Sequence, residues 1–138
     1  MKILNVFIQL SEIPISLLPK TSLKNIEIKV FDQQTEKSLA YIEEFKTKLG
    51  MNICLVETIG EATEADIVVT TTSSRKPIFK KEHIRPGTHI NAVGADAKGK
   101  QELETALLTG TKVVVDDIKQ ASHSGEINVP LSEGLIKV

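Results

Sequence analysis

One short segment, residues 89–103 (HINAVGADAKGKQEL), places an aspartate, two lysines and two glycines directly behind an apolar run. The apolar start is typical of a buried strand, so the polar residues come where that strand ends. Gly94 and Gly99 allow a backbone to approach a ligand closely, and Asp96 projects a carboxylate between them. The structural alternative is that Asp96 caps a helix over 100–109, but it lies early for a cap, which favours the functional interpretation.

Other predicted strands also end on polar residues. Residues 26–32 (IEIKVFD) end on Asp32, and residues 66–72 (DIVVTTT) run into further threonines and serines. Ligands of open parallel sheets bind outside the carboxyl ends of the strands. An acid at the end of a second strand can accept hydrogen bonds from a ribose and repel a 2′-phosphate, or it can merely begin a turn. The threonines could contact a cofactor, although threonine is also a good strand residue.

Strand and helix patterns alternate along the chain. Strands are predicted at 26–32, 52–58, 66–72, 88–94 and 111–117, and helices at 35–49 and 100–109, with a short helix or turn at 59–65. The first helix has Thr35 as a candidate N-cap and Gly50 as a candidate C-terminal stop, and the second ends at Gly110. The apolar face of the first helix is predicted to contain Leu39, Ile42, Phe45 and Leu49. This alternation predicts one α/β domain over residues 1–138, with a mostly parallel sheet flanked by helices.

The amino-terminal segment fits two structures. Residues 3–9 favour a strand, but Ile3, Val6, Phe7, Leu10 and Ile13 also share one helical face. We expect the segment to pack rather than stay in water, because it is strongly apolar. A dimer that covers exposed apolar surface is a further possibility.

Composition narrows the classes of function. The 138 residues carry a net charge of -1, which gives no basic surface for nucleic acid or an anionic membrane. No apolar run reaches the length of about 20 residues that a membrane helix needs. The single cysteine, Cys54, excludes an internal disulfide and fits a cytoplasmic protein. His83, His89 and His123 match no metal-ligand spacing, so no metal site is expected.

Three segments together resemble a known family. ADIVVTTTSSRKPIF, PGTHINAVGADAKGKQEL and VVVDDIKQASHSGEINVPLSEG look like the dinucleotide-binding part of the ornithine cyclodeaminase, archaeal alanine dehydrogenase and mu-crystallin family. The resemblance covers about residues 26–134, and its most specific block is GAD-x-x-GK-x-EL. It implies a Rossmann-like fold, NAD as the cofactor, and a small amino acid as the substrate in intact relatives.

The resemblance also implies roles for individual residues. Asp96 matches the catalytic acid/base at the substrate amine, and Asp32 matches the acid that holds the adenosine ribose. The cofactor is expected to lie against Thr72, Val93, Gly94, Ala95 and Lys100. The implied chemistry is hydride transfer from the substrate Cα to NAD to give an imine, and in the cyclodeaminase ornithine then becomes proline with loss of ammonia. Position 98 departs from the family, because it holds a lysine where the family often has proline.

One expected motif is absent from the sequence. The family has a glycine-rich phosphate-binding turn ahead of the second strand, whereas the first glycine of this chain is Gly50. The first β–α unit is therefore atypical, and the sequence looks like a truncated copy of the family. We expect weak NAD binding, because the pyrophosphate loses backbone donors. Two functions stay open: a lyase or oxidoreductase of this family, or a non-catalytic remnant that binds a nucleotide weakly or binds another protein.

Overall fold

The computed structural model describes residues 2–7, 26–50 and 52–137. Five strands form one sheet in the order β3-β2-β1-β4-β5. The strands are β1 Lys2–Phe7, β2 Ile26–Phe31, β3 Asn52–Leu55, β4 Ile67–Thr70 and β5 His89–Ala92. The helices are α1 Thr35–Leu49, α2 Ile59–Thr63, α3 Thr105–Thr109, α4 Ile118–Ser124 and α5 Asn128–Ser132, and a 3₁₀ turn covers Lys81–His83.

The strands of this sheet run parallel. β1 pairs with β2 and with β4, and β2 pairs with β3, each in parallel register. β5 continues the pattern, because the N–H of His89 donates to Asp66 and that of Val93 donates to Thr70. The strand order 3-2-1-4-5 is that of a dinucleotide-binding sheet. The predicted α/β, Rossmann-like fold is confirmed.

The chain divides into two compact units, each with its own core. The first comprises Met1–Val69 with Arg85–Asn91, and the second comprises Thr70–Ile84 with Ala92–Val138. In the first unit, alternate residues of β2 and β3 are buried, among them Ile28, Val30 and Ile53. This alternation is what a pleated strand packed against a helix requires.

The predicted helix over 35–49 is confirmed, but its buried face and its cap differ from the prediction. Ser38, Ile42 and Phe45 are buried, whereas Leu39 is 54% exposed; the side chain of Leu49 lies outside the described ones. The N-cap is Gln34 rather than Thr35, and it makes no side-chain capping bond. Gly50 ends the helix in the left-handed conformation, with φ of 61°.

The amino-terminal strand is confirmed over Lys2–Phe7, where six residues of β1 pair in register with β2. The pairing selects the strand over the helical alternative for Ile3, Val6 and Phe7. Positions 8–25, which include the end of the predicted strand over 3–9 and also Leu10 and Ile13 of the helical alternative, lie outside the residues that the structure describes.

The helix predicted over 100–109 begins only at Thr105. The backbone of the preceding residues has other partners: the carbonyl of Glu102 accepts from the N–H groups of Ile78 and Phe79, and Leu103 forms an isolated bridge with Phe79. Groups committed to such contacts cannot form helical i to i−4 bonds. The N-cap is accordingly Glu104, so Asp96 does not cap this helix. The predicted stop at Gly110 is confirmed.

The strand predicted over 111–117 is wrong. Residues 111–120 are exposed, and Val114 is 79% exposed. A β-branched run favours extended backbone, but a strand also needs a hydrogen-bonding neighbour, and none among the described residues pairs with it. Val113 and Val115 instead line an open groove of about 460 Å³ with Ile118, Ile127 and other apolar residues of the second unit.

We predict that the two apolar positions of α1 differ sharply in their effect on stability. Ile42→Ala removes a buried side chain and should lower the free energy of unfolding by about 2–4 kcal/mol. The control, Leu39→Ala, changes an exposed side chain on the same helix and should stay within about 0.5 kcal/mol. Urea unfolding followed by circular dichroism measures both. Equal losses in the two variants would contradict the assignment of the buried face.

Candidate functional site

The carboxylate of Glu102 connects two loops of the second unit. Its side chain is fully buried, and its Oε2 accepts from the hydroxyl of Thr70 at 2.6 Å and from the N–H of Gly94 at 2.9 Å. Its Oε1 accepts from the N–H of Thr72 at 2.5 Å. One acid thus holds the loop that follows β4 and the loop that follows β5.

Gly94 is where these two loops come closest. A Cβ atom at this position would overlap the carbonyl oxygen of Thr72 and lie 2.6 Å from the Glu102 carboxylate. No side chain larger than hydrogen fits there without movement of backbone. The glycine in the sequence GAD is therefore required by close approach, as the sequence suggested, although the partner is the protein itself.

Asp96 and Lys100 form an ion pair on the loop that follows Gly94. The Asp96 side chain is 71% exposed, whereas that of Lys100 is 18% exposed. The hydrogen bond from Lys100, together with its positive charge, lowers the pKa of Asp96 below its ordinary value. Asp96 is consequently an exposed anion at neutral pH, with a fixed ammonium beside it.

A second acid, Glu126, binds the backbone that carries Glu102. Its Oε1 accepts from the N–H of Glu102 at 2.9 Å and from the N–H of Leu103 at 2.5 Å. Burial, together with the nearby Glu102 carboxylate, raises the pKa of Glu126 to about 7, although the hydrogen bonds from the N–H groups of Leu103 and Glu102 act in the opposite direction. The carboxyl group therefore titrates near neutral pH.

Asn128, at the start of α5, holds the segment just before Glu102. Its Oδ1 accepts from the N–H of Gly99 at 2.9 Å, and its Nδ2 donates to the carbonyl of Lys100 at 2.9 Å. Gly99 has φ of 78°, a conformation that favours glycine. Asn128 and Glu126 together hold the backbone between Gly99 and Leu103.

Six of the seven predicted site residues lie in the second unit: Thr72, Val93, Gly94, Ala95, Asp96 and Lys100. The structure connects Thr72 to Gly94 through Glu102, and Asp96 to Lys100 directly. Val93 is 59% exposed, and Ala95 is buried. Val93 therefore exposes apolar surface three residues before the exposed Asp96 carboxylate in the sequence.

Asp32, the seventh residue, directly follows β2 in the first unit. Its Oδ1 accepts from the N–H of Gln34 at 2.6 Å, which makes the turn that leads into α1. Its Oδ2 accepts no hydrogen bond from any described residue. The turn role considered from the sequence is therefore present.

Sequence reasoning missed Glu102, Glu126 and Asn128. Glu102 was assigned to a helix, and a glutamate on a helix is normally solvated. The only available signal was its place in the specific block GAD-x-x-GK-x-EL. Within the described ranges, no group of three His, Cys, Asp or Glu side chains is arranged to hold a metal ion. None of the helices in those ranges has the length and hydropathy to cross a membrane.

The strand order and the loops that follow β4 and β5 define a Rossmann-like α/β protein. A sequence model of the ornithine cyclodeaminase/mu-crystallin family matches residues 15–137, and the chain belongs to that family. The predicted resemblance is confirmed.

Individual relatives agree with this assignment. An alanine dehydrogenase of Archaeoglobus fulgidus is 45% identical over 112 residues, which are 81% of this chain and 34% of that protein. A solved archaeal alanine dehydrogenase dimer with bound NAD has a TM-score of 0.75 and 44% identity, over 80% of this chain and 34% of that one.

A Thermococcus litoralis Δ1-pyrroline-2-carboxylate reductase, solved with NADH and L-proline, has a TM-score of 0.80 and 33% identity. The match covers 99% of this chain and 43% of that one. The chain thus spans about a third of the length of the alanine dehydrogenase and less than half of the reductase.

We predict that Gly94→Ala is strongly destabilising. The added methyl group meets backbone and a buried carboxylate, so the free energy of unfolding should fall by about 3 kcal/mol. Gly60→Ala is the matched control, because its Cβ would lie 3.9 Å from Thr58 within α2. That change should stabilise the chain by up to about 1 kcal/mol. A stability of Gly94→Ala equal to wild type in urea unfolding would refute the close approach.

Glu126 should make the stability of the chain depend on pH. Its folded-state pKa of about 7 lies above its ordinary value of 4.5, so the folded chain binds more protons than the unfolded chain between these values. This contribution to stability is fully present below about pH 4.5 and is lost as pH rises through about 7, by up to about 3 kcal/mol.

The measurement is urea unfolding at a series of pH values. Subtracting the Glu126→Gln curve from the wild-type curve should show the decline between pH 4.5 and 7. The glutamine keeps an oxygen that can accept from the N–H groups of Glu102 and Leu103. Glu133→Gln, which changes an exposed glutamate, should leave the wild-type profile unaltered. A difference curve for Glu126→Gln that is flat across this range would contradict the shift.

Proposed function

We propose that the chain binds NAD(H) as the dinucleotide-binding part of an enzyme that oxidises or reduces the C–N bond of an amino acid or its imine. The observation that carries the proposal is the joining of Thr72 and Gly94 by Glu102, beside the Asp96–Lys100 pair, at strand ends of a Rossmann-like sheet. Ligands of such sheets lie outside these strand ends.

In this proposal the nicotinamide half of the cofactor lies against the second unit. Thr72 and the residues Val93 to Ala95 provide backbone groups and an apolar surface, and Lys100 provides a positive charge for the phosphates or the nicotinamide amide. For the first unit, taken by itself, Asp32 is the proposed acceptor for the hydroxyls of a nucleotide ribose. The proposal is supported by the relatives that were solved with NAD or NADH.

Asp96 is the proposed proton acceptor. Oxidation of an amine moves a hydride from Cα to NAD and releases a proton from nitrogen, which a nearby carboxylate can take. The lowered pKa keeps Asp96 ionised, so the anion can orient a substrate ammonium. The substrate then competes with Lys100 for the same carboxylate, because Lys100 already donates to its Oδ1.

The proposed substrate class is a small amino acid or its imine. Two of the relatives are an alanine dehydrogenase and a pyrroline-2-carboxylate reductase, and both names describe redox chemistry at the carbon beside a carboxylate. These relatives favour a dehydrogenase or reductase over the cyclisation of ornithine to proline. A homodimer, a cytoplasmic location and a single domain stay predictions.

A specific sequence feature favours a second function, a remnant that binds nucleotide weakly without catalysis. No glycine precedes Gly50, so the segment between β1 and β2 contains no glycine-rich turn for the pyrophosphate. If two charge-assisted hydrogen bonds are lost, binding weakens by roughly two to four orders of magnitude. Under this alternative, NADH binds weakly and no substrate turns over.

We predict that NADH binds more tightly than NADPH, because Asp32 accepts ribose hydroxyls and repels a 2′-phosphate. Asp32→Asn removes a charged acceptor and should weaken NADH binding by about 10- to 100-fold. The difference in affinity between NADH and NADPH should therefore become smaller. Glu36→Gln is the control, since it removes the same charge from the first turn of α1. Titration calorimetry with both nucleotides measures all three chains. Equal affinity of wild type for NADH and NADPH would reject the ribose role.

Turnover separates the two functions. We expect NADH oxidation with pyruvate and ammonia, or with pyrroline-2-carboxylate, only if the chain is an enzyme. In that case Asp96→Asn should lower kcat while leaving NADH affinity within about twofold, because the residue acts on the substrate nitrogen. Micromolar NADH binding together with turnover that Asp96→Asn abolishes rejects the remnant. Millimolar binding without turnover rejects the enzyme.

A further inference from the structure

Glu102 is an unusual residue to find at full burial. A buried carboxylate is costly unless charged or strongly polar partners compensate for lost water. Its partners are neutral: one hydroxyl and the two backbone N–H groups of Thr72 and Gly94. Among the described residues, no lysine, arginine or histidine forms an ion pair with it.

The neighbouring acid adds to this cost. Glu126 accepts from the N–H of Glu102 itself, so a second carboxyl group lies against the backbone that carries Glu102. Two acids without a described basic partner do not favour stability, because replacing buried charge with apolar groups is often neutral or stabilising. The arrangement instead positions the donor groups, because each oxygen of the Glu102 carboxylate accepts from particular N–H or O–H groups.

The donors that Glu102 fixes belong to the two segments that the proposed function assigns to the cofactor. Thr72 donates to one oxygen and Gly94 to the other, which sets their separation through a rigid, planar group. Gly94 leaves no space for another arrangement, because even a methyl group would overlap Thr72 and Glu102. The loops that follow β4 and β5 are thus joined through Glu102, and the N–H groups of Val93 and Gly94 add hydrogen bonds to the Thr70 carbonyl.

We propose that Glu102 is a positioning residue, whose carboxylate holds the Thr72 and Gly94 backbone in the relative placement that a nicotinamide dinucleotide requires. This inference rests on the proposed function for the identity of the ligand. Glu102 contacts no ligand itself in this role. It acts through the two backbone segments, so replacing Glu102 should make the Thr72 and Gly94 segments less preorganised for the ligand.

Glu102→Gln tests the proposal at nearly constant shape. A glutamine has one carbonyl oxygen and one NH₂ group, whereas the carboxylate has two acceptor oxygens. The Thr70 hydroxyl can rotate to accept from the NH₂, but a backbone N–H cannot reverse. In either orientation of the amide, the N–H of Thr72 or that of Gly94 therefore faces another donor. The N–H of Gly94 then keeps only its second acceptor, the carbonyl of Thr70 at 3.2 Å.

Two measurements on the full chain decide the outcome. Amide hydrogen exchange, read by NMR below the unfolding temperature, should become at least about tenfold faster at Thr72 or Gly94 in Glu102→Gln. NADH affinity by titration should fall by about 10- to 100-fold. Leu107→Ala is the control: it removes a buried apolar side chain of α3, and should lower the unfolding temperature without changing NADH affinity by more than about twofold.

Each result has a defined meaning. Faster exchange with weaker NADH binding in Glu102→Gln, but not in Leu107→Ala, supports the proposal. Unchanged NADH affinity in Glu102→Gln overturns it, and so does an equal loss in the control. If wild type binds no NADH, the proposed function fails and the cofactor role of Glu102 fails with it. Exchange at Thr72 and Gly94 still tests the holding role separately, and wild-type rates in the variant would refute it.

Discussion

The second unit depends on a carboxylate that is buried without a described basic partner. Glu102 is inaccessible to water, and it accepts hydrogen bonds from the hydroxyl of Thr70 and the N–H groups of Thr72 and Gly94. A carboxylate has only acceptor sites, so every neighbour must be a donor. This requirement determines the direction of the backbone in two loops, and it explains why residue 94 has no side chain.

The burial of Glu102 in turn depends on the short sequence GEIN, residues 125–128. Glu126 accepts hydrogen bonds from the N–H groups of Glu102 and Leu103. Asn128 accepts from the N–H of Gly99 and donates to the carbonyl of Lys100. Backbone groups that are bonded to these side chains cannot form the hydrogen bonds of a helix. The helix α3 therefore begins only at Thr105. The segment before α3 turns Glu102 inward and leaves Asp96 near solvent.

Much of the fold could be predicted because its signals are local. The α1 helix has a clear period and a glycine stop, and the apolar strand runs of β2, β3, β4 and β5 are separated by turn or helix patterns. The α3 boundary could not be found from local pattern, since KQEL has good helix propensity and long-range hydrogen bonds, such as those with Ser74, Phe79 and Glu126, keep it out of the helix. The strand prediction over 111–117 is wrong for a related reason. A run of valines favours extended backbone, but it does not provide the neighbouring strand with which that backbone would pair.

The candidate site was predictable in its exposed part and not in its buried part. Asp96 and Lys100 could be identified from the sequence because they are charged residues in a glycine-containing loop, and in the structure they form an ion pair. Glu102 carries the same charge six residues after Asp96, yet its role depends on contacts 30 and 32 residues away in the sequence, at Thr72 and Thr70. Long-range donors of this kind leave no mark in the local pattern.

Burial therefore divides the block GADAKGKQEL into two functional parts. Gly94 and Glu102 are packed against the protein's own backbone, so they have little freedom to vary with the ligand. Asp96 and Val93 are exposed, and changes there alter the surface offered to a substrate without disturbing the buried hydrogen bonds. The alanine dehydrogenase and the pyrroline-2-carboxylate reductase carry different reaction names, although both are similar to this chain. The constraint on the loops is set by hydrogen bonds inside the protein, and under the proposed function the choice of substrate is left to residues that those bonds do not use.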